Sequence, residues 1–285
     1  MNYELAVVGG SGFYKMDGLE ILEERAVETP YGPPSDKLLL GRLEGRPVAF
    51  LARHGRNHQY NPTHVPYQAN IWALKSVGVK WLVSVSAVGS LKEEYAPLHV
   101  VVPDQILDRT RHRPSTLFDP VAVHVTFADP YCPALSELLV EAARASEITT
   151  HVGGTYVCIE GPLFSTRAES ELYRSWGASL IGMTAIPEAK LAREAEIAYA
   201  ALCFVTDYDC WHEEEVSVDI IVDRLHANAE NGARAIRYVA ANLGKLGSSP
   251  AHTALETALL TQVEDFPPHA LDRVRLLLQR VRPGL

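Results

Sequence analysis

Cysteine is scarce in this chain. Four thiols, Cys132, Cys158, Cys203 and Cys210, stand among 285 residues, too few for a disulfide scaffold and without paired metal-ligand spacing, so reduced thiols and a cytoplasmic setting are expected. Basic charge is in deficit. Lys+Arg number 26 against 35 Asp+Glu, a net charge of −9, which argues against nucleic-acid or anionic-membrane partners, since both need a basic footprint. Long hydrophobic runs are missing, because the longest, near residues 197–205, is too short for a membrane helix. The opening Met1-Asn2-Tyr3-Glu4-Leu5 has neither a basic nor an apolar leader region, so no signal peptide is expected. The dinucleotide fingerprint fails as well: counted from Gly10 it requires glycine at position 15, where Lys15 stands.

What is present suits a globular enzyme. At 47% hydrophobic and 21% charged residues the chain can fill a sizeable core. Short apolar runs alternate with amphipathic segments throughout. Strands are expected at 5–8, 37–43, 46–52, 80–86, 100–102, 155–159, 180–182 and 200–205. Helices are expected after Pro66 and at 134–145, 167–176, 187–196 and 216–242. This alternation favours an α/β sheet flanked by helices. A Ser/Gly/Pro patch at 244–250 reads as a hinge, followed by helices at 253–263 and 271–281 with Phe266-Pro267-Pro268 as the break. These last helices read as a packing or subunit-contact appendage, and no internal repeat is visible.

Four stretches carry chemistry. Gly9-Gly10-Ser11-Gly12 closes the first strand with close backbone approach and a hydroxyl, which suits a single anion or a plain tight turn. Arg53-His54-Gly55-Arg56-Asn57-His58 follows an apolar strand directly, so its donors emerge where open α/β sheets place ligands. An arginine fork matches phosphate oxygens bidentately, and histidine donates at neutral pH. His54 and His58 also have a metal-like spacing, but Gly55 and Pro62 oppose the helix that spacing needs and no carboxylate or thiol accompanies them. A solvated basic loop is the bland alternative. Phosphate is favoured because a net-acidic chain concentrates cations here. Ser84-Val85-Ser86-Ala87-Val88-Gly89-Ser90 closes another strand with hydroxyls, either further anion donors or a turn. Val205-Thr206-Asp207-Tyr208-Asp209-Cys210-Trp211 ends an apolar run in two carboxylates around an aromatic ring. If strand geometry persists, Asp207 and Asp209 share a side, and crowding should drive their pKa values apart. Such a pair complements the N7 acceptor and N6 donor of adenine; a helix cap or acidic loop is the alternative.

Together these motifs resemble the 5′-methylthioadenosine phosphorylase branch of the trimeric purine nucleoside phosphorylase family. Further matching motifs are Tyr67-Gln68-Ala69-Asn70-Ile71-Trp72-Ala73-Leu74, Glu160-Gly161-Pro162-Leu163-Phe164-Ser165, and Gly182-Met183-Thr184 with Pro187-Glu188. The resemblance runs from near residue 5 to about 242. It implies a single-domain α/β fold with a central mixed β-sheet flanked by helices, residues 1–245 forming the phosphorylase domain and 246–285 a C-terminal helical extension of it. It implies a homotrimer or dimer of trimers, with nucleoside and inorganic phosphate as substrates and no metal or organic cofactor. Carried over by position, Ser11, Arg53, His54, Ser86, Ala87 and Thr184 hold phosphate. Phe164 and Met183 pack on ribose and purine, with Ser165 contributing to specificity. Val218, Ile221 and Val222 line a methylthio pocket that His124 reaches from a neighbouring subunit. Asp207, protonated, donates to N7 as the catalytic acid, and Asp209 accepts from the 6-amino group. The expected reaction is phosphorolysis of methylthioadenosine in purine and methionine salvage. Alternatives are a general purine nucleoside phosphorylase, a methylthioinosine phosphorylase, or a non-catalytic nucleoside-binding protein. Ser11 and Ser86 stand where threonine is common in the family, and the segment after Trp211 is shorter than in the animal enzymes.

Overall fold

The computed structural model describes residues 2–10, 16–213 and 218–285, without the side chains of residues 218, 220 and 225–228. The N-terminal part of the chain is β1 (Leu5–Gly9), β2 (Leu19–Arg25), β3 (Leu38–Leu43), β4 (Arg46–Ala52), α1 (Tyr67–Ser76) and β5 (Trp81–Ser90). Then come β6 (Val100–Val102), β7 (Gln105–Arg109), α2 (Pro133–Ala145), β8 (Thr150–Val152), β9 (Thr155–Ile159) and α3 (Arg167–Ser175). The chain continues through β10 (Ala178–Gly182), α4 (Ala185–Glu194), β11 (Ala198–Asp207) and α5 (Val218–Asn242) to α6 (Pro268–Leu278).

Among the described residues the strands form one 11-stranded mixed sheet with a path β2-β3-β4-β1-β5-β10-β9-β7, β11 joining β5 and β6. The expected α/β architecture is therefore observed. Central strands read as continuous apolar runs because both of their faces are covered. In β11, Tyr199, Ala201, Cys203 and Val205 enter one core cluster, while Ala198, Ala200, Leu202 and Phe204 enter the other. That is the period of two that a strand imposes. Helices α1, α4 and α6 supply the first cluster, and α2 and α5 the second.

The sheet forks at β5. On one edge β1 runs parallel to it as far as the pair Val8↔Ser84, and antiparallel β10 takes over at Ile181↔Gly89. Residues 85–88 lie between those two partners. On the opposite edge β11 accompanies β5 from Trp81 to Gly89. The end of β1 and the residues that follow β4 and β10 meet at this notch, which is where an α/β sheet leaves room for a ligand.

The C-terminal part departs from expectation. Residues 253–263 do not form a helix. Leu259 bridges to Val123, and the N–H groups of Leu260 and Thr261 donate to Ala122 O. Tertiary partners thus take backbone groups that a helix would have used. The extension is docked firmly all the same. Arg280 holds the buried carboxylate of Glu196 with two bonds of 2.7 and 2.6 Å, and Trp72 Nε1 donates to Arg273 O. Strands β2, β7 and β8 were absent from the sequence reading; β2 is largely exposed and lacks alternating burial. No helix among the described residues is long and apolar enough to cross a membrane.

Candidate active site

Arg53 follows β4 and is anchored by its N–H to Gly9 O, at the end of β1. Its side chain is 3% exposed, and its fork is already occupied. Nε and Nη2 meet the two oxygens of Glu188 at 2.7 and 3.0 Å, Nη2 also reaches Ser84 Oγ at 2.6 Å, and Nη1 donates to Val85 O. The bidentate fork expected for a ligand is thus turned onto an internal carboxylate. Burial alone would lower the guanidinium pKa, but the Glu188 charge and hydrogen bonds reverse this and raise it. Tyr199 Oη donates to the same carboxylate at 3.0 Å.

Beyond Ser84 a line of hydroxyls enters the notch. Ser84 Oγ lies 3.5 Å from Ser86 Oγ, which lies 3.4 Å from Thr184 Oγ1. Ala87 follows, half-buried. His54 departs from the donor role expected of it. Its Nδ1 sits 2.9 Å from Tyr60 O, and its ring stacks on His58 with centroids 4.5 Å apart. Stacked rings do not converge two nitrogens on one ion, which speaks against the metal alternative. Burial, reinforced by the charge of Arg53, pushes the His54 pKa down to about 4. The imidazole is therefore neutral at physiological pH.

The acidic pair lies beside β5 farther along it, at the end of β11. Ser86 and Gly89 are three residues apart on β5, about 10 Å at the usual rise per residue. Asp207 is the last residue of β11 and pairs with Gly89. A methyl on Gly89 would lie 3.0 Å from Asp207 Oδ1 and 3.4 Å from Asp209 Cβ, so the absence of a side chain makes the room. The strand does not persist to Asp209, which has φ 53° in a short 3-10 turn over Asp209–Trp211. The two acids meet through an Asx-type turn instead of strand alternation, Asp209 N–H donating to Asp207 Oδ1 at 2.8 Å. Thr206 Oγ1 donates to the other oxygen of Asp207 at 2.8 Å. Burial raises the pKa of Asp209, and the neighbouring charge of Asp207 adds to the rise, against hydrogen bonds that lower it. Burial thus favours the protonated form of Asp209, whereas the family resemblance puts the catalytic proton on Asp207.

Several groups that the sequence did not single out build this arrangement. Arg113 is buried and donates through Nη1 to Met183 O and Ile186 O at 2.6 Å, through Nε to Glu160 at 3.0 Å, and through Nη2 to Glu160 O. It straps the segment after β9 to the segment after β10. Glu160 also accepts from Arg111 N, His112 N and Thr63 Oγ1. Against the cost of burial, those bonds hold its pKa down at about 2. Trp211 Nε1 donates to Ser90 O at 2.8 Å while Arg174 lies 3.7 Å over its ring, fixing the acidic turn to the end of β5. No local pattern announced these pairings.

The remaining expected residues are distributed unevenly. Met183 Sδ would lie 2.5 Å from a methyl placed on Gly161, whose φ of 68° also favours glycine. Phe164 is 47% exposed, and the half-buried Ser165 has its Oγ without a partner while its carbonyl accepts from Cys210 Sγ. Ile221 is half-buried and Val222 exposed on the first turns of α5, which Arg224 ties to Thr206 O. His124 stands exposed on the segment that pairs with Ala258 in the extension, and its backbone N–H donates to Ala258 O. Ser11 and the side chain of Val218 lie outside the described residues. Among the described residues no group of three or more His, Cys, Asp or Glu side chains is placed to hold a metal ion.

Comparison with known proteins identifies relatives along most of the chain. Residues 4–241 match the description Phosphorylase superfamily. An S-methyl-5′-thioadenosine phosphorylase of Prochlorococcus marinus is 52% identical over 98% of this chain and 91% of its own. The crystal structure of a methylthioadenosine phosphorylase from an Antarctic soil metagenomic library superposes with a TM-score of 0.93 at 50% identity, covering 97% of this chain and 99% of that one. A methylthioadenosine phosphorylase from Schistosoma mansoni, solved with adenine, gives 0.82 at 33% identity over 86% and 93%.

Proposed function

The chain belongs to the phosphorylase superfamily, and from that premise we propose that it cleaves S-methyl-5′-thioadenosine with inorganic phosphate, releasing adenine and S-methyl-5-thio-α-D-ribose 1-phosphate. One observation carries this reading. A buried acid pair at Asp207 and Asp209 lies a nucleoside's length along β5 from the hydroxyls of Ser86 and Thr184. Phosphate occupies the notch against Ser86, Ala87 and Thr184, with Arg53 and His54 beside it and Ser11, outside the described residues, as a further donor by its place in the family motif. Phe164, Ser165 and Met183 border the sugar and base. Val218, Ile221 and Val222 border the 5′ substituent, and His124 reaches it from a neighbouring copy in a homotrimer or a dimer of trimers.

In the reaction a phosphate oxygen bonds to the anomeric carbon as the bond to N9 breaks. The electron pair of that bond leaves with the purine. Phosphate beneath the sugar stabilises the developing cation, an electrostatic effect that needs the anion already in place. The acid pair delivers a proton to N7, with Asp209 carrying it and Asp207 accepting from the 6-amino group. In the net balance, hydrogen phosphate loses one proton and adenine gains one. Phosphate is the nucleophile, so no metal or organic cofactor enters. Residues 1–245 carry the chemistry, and 246–285 extend the same domain. Four free thiols suit a reducing compartment, the cytoplasm, where both products feed purine and methionine salvage.

The test is adenine release from methylthioadenosine with and without added phosphate, alongside adenosine and inosine. Release that requires phosphate and favours methylthioadenosine is expected. Release in water alone marks a hydrolase, binding without release marks a sensor, and a preference for inosine marks a 6-oxopurine enzyme; each would end this reading.

A further inference from the structure

One guanidinium touches both sides of the space between the notch and the acid pair. Arg113 spends Nε on the Glu160 carboxylate at 3.0 Å, Nη1 on Met183 O and Ile186 O at 2.6 Å each, and Nη2 on Glu160 O. Its side chain is 1% exposed, and the Tyr67 ring lies 5.7 Å from it. Glu160 in turn accepts from Thr63 Oγ1 at 2.8 Å and from the main-chain N–H groups of Arg111 and His112. A single ion pair therefore ties together the segments that follow β4, β7, β9 and β10. Two of those segments are walls of the candidate site. Phe164 and Ser165 stand just past Glu160 in the chain, and Met183 is gripped by its own carbonyl. The walls approach closely across Gly161, where a methyl would lie 2.5 Å from Met183 Sδ. The acidic turn is fastened separately, by Trp211 on Ser90 O and Arg174 over the Trp211 ring.

We propose that Arg113 is a positioning residue for the reaction: by holding Glu160 O and Met183 O on one planar fork it fixes how far the Phe164–Ser165 wall stands from the Met183–Thr184 wall, and so where the sugar rests between base and phosphate. The inference rests on the nucleoside reading of this site. The planar fork is what the task requires. Its five donors reach a carboxylate and the carbonyls of two separate segments together, whereas a lysine ammonium is a compact point charge that pairs Glu160 and leaves buried carbonyls unsatisfied. Arg113 touches no reacting atom. It acts through the two walls, and a misplacement of about 1 Å at the reacting atoms costs roughly 100-fold in rate.

The experiment is calorimetric titration of the full chain with methylthioadenosine and with adenine, paired with the adenine-release assay and a melting curve. In folded Arg113→Lys, kcat/KM for methylthioadenosine should fall about 100-fold and its binding weaken about tenfold or more, while free adenine, held by the separately fastened acid pair, binds within about threefold of the unaltered chain. A merely structural role would lower the melting temperature and the active fraction and leave KM and the ratio of the two affinities unchanged. That result overturns the inference, as does an equal loss for both ligands. Glu160→Asp keeps the charge pair and draws it back by one methylene, so the same split should appear at about tenfold in kcat/KM. If Arg113→Lys does not fold, an absent split in Glu160→Asp overturns the inference. If the unaltered chain binds both ligands but releases no adenine with phosphate, the function fails and the affinity ratio still decides the role of Arg113. If release depends on phosphate and neither variant shows the split, the inference fails and the function stands.

Discussion

The two ends of the notch handle charge in opposite ways. At one end Arg53 is neutralised before any ligand arrives, held by Glu188 at 2.7 Å with both side chains 3% exposed. At the other, Asp207 and Asp209 are buried together and linked by the Asp209 N–H, and burial leaves Asp209 disposed to keep a proton. One end offers fixed hydrogen-bond directions; the other offers a carboxyl whose pKa burial raises. A glycosidic bond to a purine needs both, since positive charge grows on the sugar while negative charge grows on the base.

The comparison breaks first at the acidic end. Asp209→Asn removes the carrier of the proton, and kcat/KM for methylthioadenosine should fall roughly 10²–10⁴-fold with little change in the binding of phosphate. Asp207→Asn should instead shift base preference, improving inosine relative to the adenine nucleoside. Unaltered substrate ratios in Asp207→Asn, together with an active Asp209→Asn, would return the proton to a different group. At the cationic end the largest effect is on stability. Glu188→Ala leaves a buried guanidinium without its counter-charge, and urea unfolding should show a loss of about 3–5 kcal/mol. A loss below about 1 kcal/mol would mean that Ser84, Val8 and Val85 hold Arg53 without help.

The smallest effect is a slope. The folded-state pKa of His54, about 4, lies below its ordinary value of 6.5, so on acidification the unfolded chain takes up the proton first. The contribution of His54 is whole above pH 6.5 and is lost as pH falls toward 4. Melting temperature measured across that window should fall less steeply in His54→Asn than in the unaltered chain. Equal slopes would remove His54 as a buried neutral ring.

The sequence made the scaffold of this site readable and hid its fastenings. The apolar run before Asp207 and the alternation around 46–52 and 80–90 announce buried strands whose ends carry chemistry, because strand burial writes a local pattern. Arg53 was visible as a cation at a strand end, but its partner Glu188 lies 135 residues away. Arg113 gave no signal at all, since its acceptors are the Glu160 carboxylate and main-chain carbonyls of segments distant in sequence. The left-handed turn at Asp209 was misread as strand because aspartate tolerates that conformation without glycine announcing it. In the extension, the run 253–263 has helix-forming residues, yet pairing with 121–124 decided otherwise, as tertiary contacts override weak local preference.

The fork at β5 has a consequence of scale. An opening made by leaving residues 85–88 of β5 without a ladder partner on one edge takes its length from the strand's own rise, about 3.3 Å per residue. On the other edge β5 keeps its pairing with β11, through one register shift between Val205 and Asp207, and this holds the opening from spreading. The length of the opening is therefore set by main-chain geometry, leaving side chains free to diversify what fills the space beyond it.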